Sequence, residues 1–145
     1  MTYQKLTEEL RLVLESHAQI RKVIFDTPQE WMFKGQKPDL PIACYRINSG
    51  SFEPGQKIFN VDFWFLDKSG RDGEFDIEVS SDMTEVANDI VAMLKQSHIR
   101  DWTVGENVQF SIINDSFEDY LSGCRLTVQI KTVNKYDACS IPIID

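Results

Sequence analysis

The sequence predicts an α+β two-layer sandwich. A mostly antiparallel sheet of about five strands carries two helices on one face, in the order α-β-β-β-α-β-β. Three observations lead there. Two segments place apolar residues at helical spacing, with charge on the opposite side. Several shorter segments alternate apolar and polar residues with the two-residue period of a half-buried strand. The 145 residues are 42% hydrophobic and 11% aromatic, enough for one core and too rich for disorder. Two amphipathic helices and one sheet bury their apolar faces most simply against each other, in a single domain spanning residues 1–145.

The first helix is expected over residues 2–21, where Leu6, Leu10, Val13, Leu14, His17 and Ile20 share a stripe. Residues 26–39 contain Pro28, Gly35 and Pro38, which argue for a loop. That loop carries Trp31, Met32 and Phe33 in succession. Either it folds back over its own core, or part of the triplet docks on another subunit, where aromatics and Met are enriched. A strand is expected at 42–47, followed by a loop marked by Gly50, Pro54 and Gly55. Residues 58–66 give the strongest strand signal. Phe59, Val61, Phe63 and Phe65 lie on one face, and Ile58, Asn60, Asp62, Trp64 and Leu66 on the other.

After a turn at 67–73, Phe75, Ile77 and Val79 alternate with Glu74, Asp76 and Glu78, which reads as a third strand with a charged outer face. The second helix is then expected to start at residues 80–82, where Asp82 and Glu85 form a capping box, and to end near Ser97. Its stripe is Met83, Val86, Ala87, Ile90, Val91 and Leu94. Val108, Phe110 and Ile112 mark a further strand, residues 114–123 a turn region, and Leu126, Val128 and Ile130 the last strand. Residues 134–145 form a tail that carries Cys139, Ile141, Ile143 and Ile144 around Pro142. The sheet face that bears Asp62, Trp64, Asp76, Glu78 and Gln129 is mixed in polarity, as expected of a surface partly covered by another chain.

Charge and motifs exclude more than they assign. Fifteen Lys+Arg against 23 Asp+Glu give a net charge of −8, and the basic residues are scattered, which argues against specific nucleic-acid binding. No apolar run approaches the ~18–20 residues of a membrane span, and the N-terminal residues do not read as a secretory signal. Cys44, Cys124 and Cys139 lack metal or redox spacing and are expected to be free thiols in a reducing compartment. The turn at 67–73 has the look of a calcium loop, but Arg71 stands where an oxygen donor is needed and Asp72 where glycine is needed. Carboxylate pairs such as Asp76/Glu78 and Glu118/Asp119 are abundant by chance among 23 acidic residues. No enzymatic activity, cofactor or metal is expected.

The element order resembles that of small bacteriophage tail-terminator and neck (head-tail connector) ring proteins. Two stretches add to the likeness. Residues 119–128 have Gly123 ahead of the final strand, and residues 134–142, through Tyr136, Cys139 and Pro142, are similar to the docking tails of such proteins. The resemblance implies a virion protein, made in the host bacterial cytoplasm. Several copies would form a ring, flanked by other neck or tail proteins, with DNA passing through and not specifically bound. It implies inter-subunit anchors among Trp31, Met32, Phe33, Phe52, Ile141 and Ile143. It also implies acidic groups toward the channel, for which alternation offers Asp62, Asp76 and Glu78; a solvated outer face explains the same three residues. Two other classes fit the sequence: a small cytoplasmic protein-binding adaptor, and, more remotely, a small hydrolase using Cys44 or an acidic pair.

Overall fold

Thr2 opens the first helix by accepting a hydrogen bond from the Lys5 amide at 3.1 Å, a side-chain N-cap. The computed structural model describes residues 1–33, 39–70, 75–96, 100–116 and 121–144; the side chains of Met32, Phe33, Asp115 and Ser116 lie outside that description. The helix, α1 (Tyr3–Glu15), buries Leu6, Leu10, Val13 and Leu14, four members of the expected stripe. It stops earlier than its stripe suggests, because Ser16 turns its hydroxyl onto the Val13 carbonyl at 2.6 Å. The chain then enters a short strand, β1 (Lys22–Ile24), which the sequence did not signal.

The order continues α2 (Pro28–Phe33), β2 (Ile42–Glu53), β3 (Gln56–Lys68), α3 (Asp76–Leu94), β4 (Thr103–Val104), β5 (Gln109–Ser116) and β6 (Leu121–Val133), with a 3-10 turn at Ala138–Ser140. The sheet runs β1-β2-β3-β6-β4, with β5 also on β6. All pairings are antiparallel except β1 with β2. The protein is thus an α+β two-layer sandwich, with a six-stranded, mostly antiparallel open sheet and three α-helices among the described residues.

Three elements correct the reading from sequence. Residues 28–33 are helical, because Pro28 occupies a first helical position, where it costs no hydrogen bond, and Thr27 accepts from the Glu30 amide at 3.3 Å. Residues 76–79 are the first turn of α3, not a strand. Asp76 and Glu78 sit there because carboxylates favour the positive end of a helix, and Ile77 is 86% exposed. Asp82 and Glu85 are consequently inside the helix and cap nothing. Finally, β2 runs through Gly50 and meets β3 at a tight turn. Pro54 and Gly55, with Gly55 at φ +73°, supply the two central residues that a type II turn prescribes. The turns expected at 67–73 and 114–123 fall partly on residues 71–73 and 117–120, outside the described residues, but Asp67 and Lys68 still belong to β3, 114–116 to β5 and 121–123 to β6. The second helix, expected to end near Ser97, ends at Leu94.

One core lies between the sheet and the two longer helices. Ala43, Tyr45 and Ile47 of β2, the Phe59, Val61, Phe63 and Phe65 face of β3, and Cys124, Leu126, Val128 and Ile130 of β6 meet α1 and α3 there. Phe25, Tyr45, Phe63 and Phe65 form a chain of rings at centroid distances of 5.0, 6.4 and 6.1 Å. The Tyr45 hydroxyl donates to the Thr7 carbonyl at 2.9 Å, which ties the sheet to α1. A second, smaller core lies on the opposite face, where Trp31 of α2 covers Ile42, Cys44, Trp64, Leu66 and Leu121. β4 and β5 are two pieces of one edge strand. Gly105 still bonds Gln129 at 2.8 Å, and pairing resumes at Gln109 and Thr127, so residues 106–108 bulge opposite a single residue of β6.

Candidate assembly surfaces

Of the three acidic residues singled out for a channel, Asp62 is on the outer face of β3, as alternation predicts, but is only 5% exposed. Cross-strand register decides its surroundings. Asp62 pairs with Thr127, and Trp64 two residues on pairs with Arg125. Thr127 donates to one carboxylate oxygen at 2.9 Å and Arg125 to the other at 3.1 Å, and Asn48 at the β2 bulge donates as well. The Arg125 guanidinium also lies 5.4 Å over the Trp64 ring. Asp62 is therefore the acceptor at the centre of a polar clasp and offers no free charge. Asp76 accepts from the Ser122 hydroxyl at 2.6 Å on the helix side of the sheet, and Glu78 stands exposed on the same helical turn. The sheet separates Asp62 from Asp76 and Glu78, so the three do not share a face, and the alternation that grouped them fails at α3.

Cys44 belongs to the small core under Trp31. Burial, with the negative charge of Asp26 adding to it, pushes its thiol up to about 12. Burial also raises Cys124. The thiolate nucleophile required by a cysteine hydrolase is suppressed at Cys44, and His17 is committed to Asp89 at 2.9 Å on the helix layer. His98 lies outside the described residues. A thiol reagent is expected to label one site rapidly in the native protein, the exposed Cys139, and all three after denaturation. Rapid native labelling of Cys44, read by peptide mass, would restore the nucleophile reading. Among the described residues, no group of three or more His, Cys, Asp or Glu is placed to hold a metal ion.

The sequence matches no protein-family model and no curated protein. What the chain can do must then be read from its surfaces.

Two ends of the sheet are apolar where they meet solvent. At the β2–β3 turn, Phe52 is 73% exposed, and Val133 at the end of β6 is also bare. The tail starts there. The Asn134 amide donates to Gly55 at 3.0 Å and the Tyr136 hydroxyl to Glu53 at 2.8 Å. Asp137 then caps the 3-10 turn through the Cys139 amide at 3.0 Å. Beyond it, Ile141, Ile143 and Ile144 are exposed, with Ile143 at 74%. Phe52, Ile141 and Ile143 are therefore exposed and outside both cores. Trp31 is not: at 2% exposure it is consumed by the chain's own second core, which corrects its assignment to docking. The side chains of Met32 and Phe33 are outside the described residues.

At the other end, Phe75, Ile77 and Ile112 are exposed, and Phe110 is bare farther along β5. The strand expected from the alternation of Val108, Phe110 and Ile112 is β5, which begins at Gln109. The exposure of Phe110 and Ile112 has a geometric cause: α3 packs chiefly over β3 and β6 and leaves the edge strand β5 partly uncovered. A period of two reveals which face a residue takes but not how far the covering layer extends.

A third feature is a surface recess of about 650 Å³ near the start of α1, lined by Lys5, Arg100, Asp101, Trp102 and Lys131. Trp102, buried, donates its indole N–H to the Leu94 carbonyl at 3.1 Å and anchors the recess wall to the end of α3. The Arg100 guanidinium lies 5.8 Å over that ring.

Proposed function

We propose that this protein is a virion structural protein of a tailed bacteriophage, a ring-forming subunit of the tail-terminator or neck (head-tail connector) type. It acts by assembly and catalyses nothing. Its partners are copies of itself and the neck or tail proteins above and below. DNA passes through the ring unbound, because a net charge of −8 on each copy, repeated round the ring, repels a polyanion. One observation carries the reading: large apolar side chains are bare at both ends of a sheet whose interior is otherwise filled, with Phe52, Ile141 and Ile143 at one end and Ile77 and Ile112 at the other. Patches of this kind mark protein–protein contact. Head-to-tail contacts between unlike patches close into rings when the rotation allows. The resemblance of the order expected from the sequence adds support, and the observed chain keeps its outline of a helix, strands, a long helix and closing strands while adding α2 and moving the third strand.

The test is association of the purified chain. Sedimentation over a concentration series and electron micrographs are expected to show closed rings. The variant Phe52→Asp/Ile141→Asp/Ile143→Asp is expected to remain monomeric with unchanged circular dichroism and thermal midpoint, since all three residues are outside the core. A wild-type chain that stays monomeric at its highest soluble concentration would overturn the reading.

A further inference from the structure

We propose that the basic recess around Lys5, Arg100 and Lys131 receives the acidic ridge of α3, Glu78, Asp82 and Glu85, of a second copy. The inference rests on the ring reading and assigns the polar part of the contact between neighbours.

The recess is the anomaly in an acidic chain. It collects three cations against one carboxylate, Asp101, while the whole chain carries −8. Lys5 spreads its charge over Glu9 at 3.9 Å and Asp101 at 3.5 Å. Arg100 is more telling. Its Nε is buried and has no hydrogen-bond acceptor among the described residues. A buried donor without a partner is costly and uncommon in native proteins; that nitrogen is closed to solvent, so the recess draws a carboxylate through the summed charge of Lys5, Arg100 and Lys131. An opening of about 650 Å³ admits acidic side chains from a neighbouring helix.

The complementary surface is on the same chain. α3 contains five acidic residues and no Lys or Arg from Asp76 to Leu94. Asp76 is held by Ser122 and Asp89 by His17. Glu78, Asp82 and Glu85 are exposed and enter no ion pair or side-chain hydrogen bond among the described residues. Their spacing of i, i+4 and i+7 puts them on one face, where like charges repel. A cationic partner relieves that repulsion.

Within one copy the two surfaces cannot meet. The N-terminal half of α3 is fastened to the start of β6 through Asp76 and Ser122, whereas the recess is at the end of β6 beside Lys131. The nine steps along β6 from Ser122 to Lys131 put the start of α3 about 30 Å from the recess at ~3.3 Å per strand residue. Each end also bares apolar groups: Ile77 and Ile112 by the ridge, Val133 in the recess wall and Phe52 on the neighbouring β2–β3 hairpin. Unlike patches at opposite ends, each mixing apolar area with one sign of charge, define a head-to-tail contact.

Charge exchange tests it. A recess variant, Lys5→Glu/Lys131→Glu, and a ridge variant, Glu78→Lys/Asp82→Lys/Glu85→Lys, are each sedimented alone and mixed, beside the wild type. Each variant alone is expected to stay monomeric. The mixture is expected to regain association with the two variants alternating 1:1, because each native recess then meets a native ridge and each reversed recess a reversed ridge. Wild-type association is expected to weaken about tenfold between low and high salt, as screened ion pairs do. Circular dichroism checks folding; if a reversal unfolds the chain, Lys5→Gln/Lys131→Gln and Asp82→Asn/Glu85→Gln replace it, each expected to associate weakly alone and, mixed, to stop at 1:1 dimers because only one end of each then finds its charged complement. If both variants assemble as the wild type does, the proposal falls while the ring reading stands. If the wild type never associates, the ring reading falls and takes the proposal with it. Inorganic phosphate titrated against the wild type decides the remaining occupant: phosphate binding lost in the recess variant, with assembly intact, would make the recess a small-anion site and overturn the proposal.

Discussion

Gly123→Ala is expected to cost more than ~3 kcal/mol, the upper part of the range for overpacked sites. A Cβ built on Gly123 would lie 1.8 Å from the Phe65 carbonyl oxygen and 2.9 Å from its carbonyl carbon. Both atoms are backbone, so no rotamer change relieves the clash. The strand that must move is β3, which pairs with β6 over its whole length from Gln56 to Lys68. Relief there would also disturb both cores, since the inward face of β3 fills one and Trp64 and Leu66 fill the other. Urea titration is the measurement. With a slope of ~1–3 kcal/mol per molar, the midpoint is expected to fall by at least ~1 M. A change within ~0.5 kcal/mol would mean that the two strands are not as close at Leu66 and Gly123 as described. Gly123 is inside β6, not ahead of it, so its requirement is close approach and not a turn.

Trp31→Ala is expected to cost about 3–5 kcal/mol, the usual range for truncating a buried large aromatic. Trp31 is the lid of the small core, and its loss opens a cavity over Ile42, Cys44, Trp64, Leu66 and Leu121. Thermal denaturation reads the loss. Sedimentation under conditions where the variant is folded separates the core role from docking: association is expected to match the wild type. Lost association at unchanged stability would return Trp31 to the interface.

These two residues illustrate what pattern reveals and what it does not. The inward alternation of Phe59, Val61, Phe63 and Phe65 was legible, and so were the stripes of α1 and α3, because each buries one face against one layer. Pro28 misled because a residue that breaks a helix interior is welcome at its start. Residues 75–79 misled because five residues of alternation also fit the first turn of a helix whose Ile77 side is bare. β1 could not be seen: three residues carry no period, and its parallel partner Ile42–Cys44 is a tertiary fact. The face of Asp62 was legible, but its partners were not, since only register brings Arg125 and Thr127 beside it. The recess joins residues from α1, β6 and the segment before β4, which no local spacing connects.

The small core has a kinetic meaning as well. Cys44 is shut beneath a six-residue helix, whereas Cys124 faces the main core. Slow modification of each thiol therefore times the excursion that uncovers it. The ratio of the two rates would tell whether α2 lifts away on its own or departs only when the entire molecule comes apart.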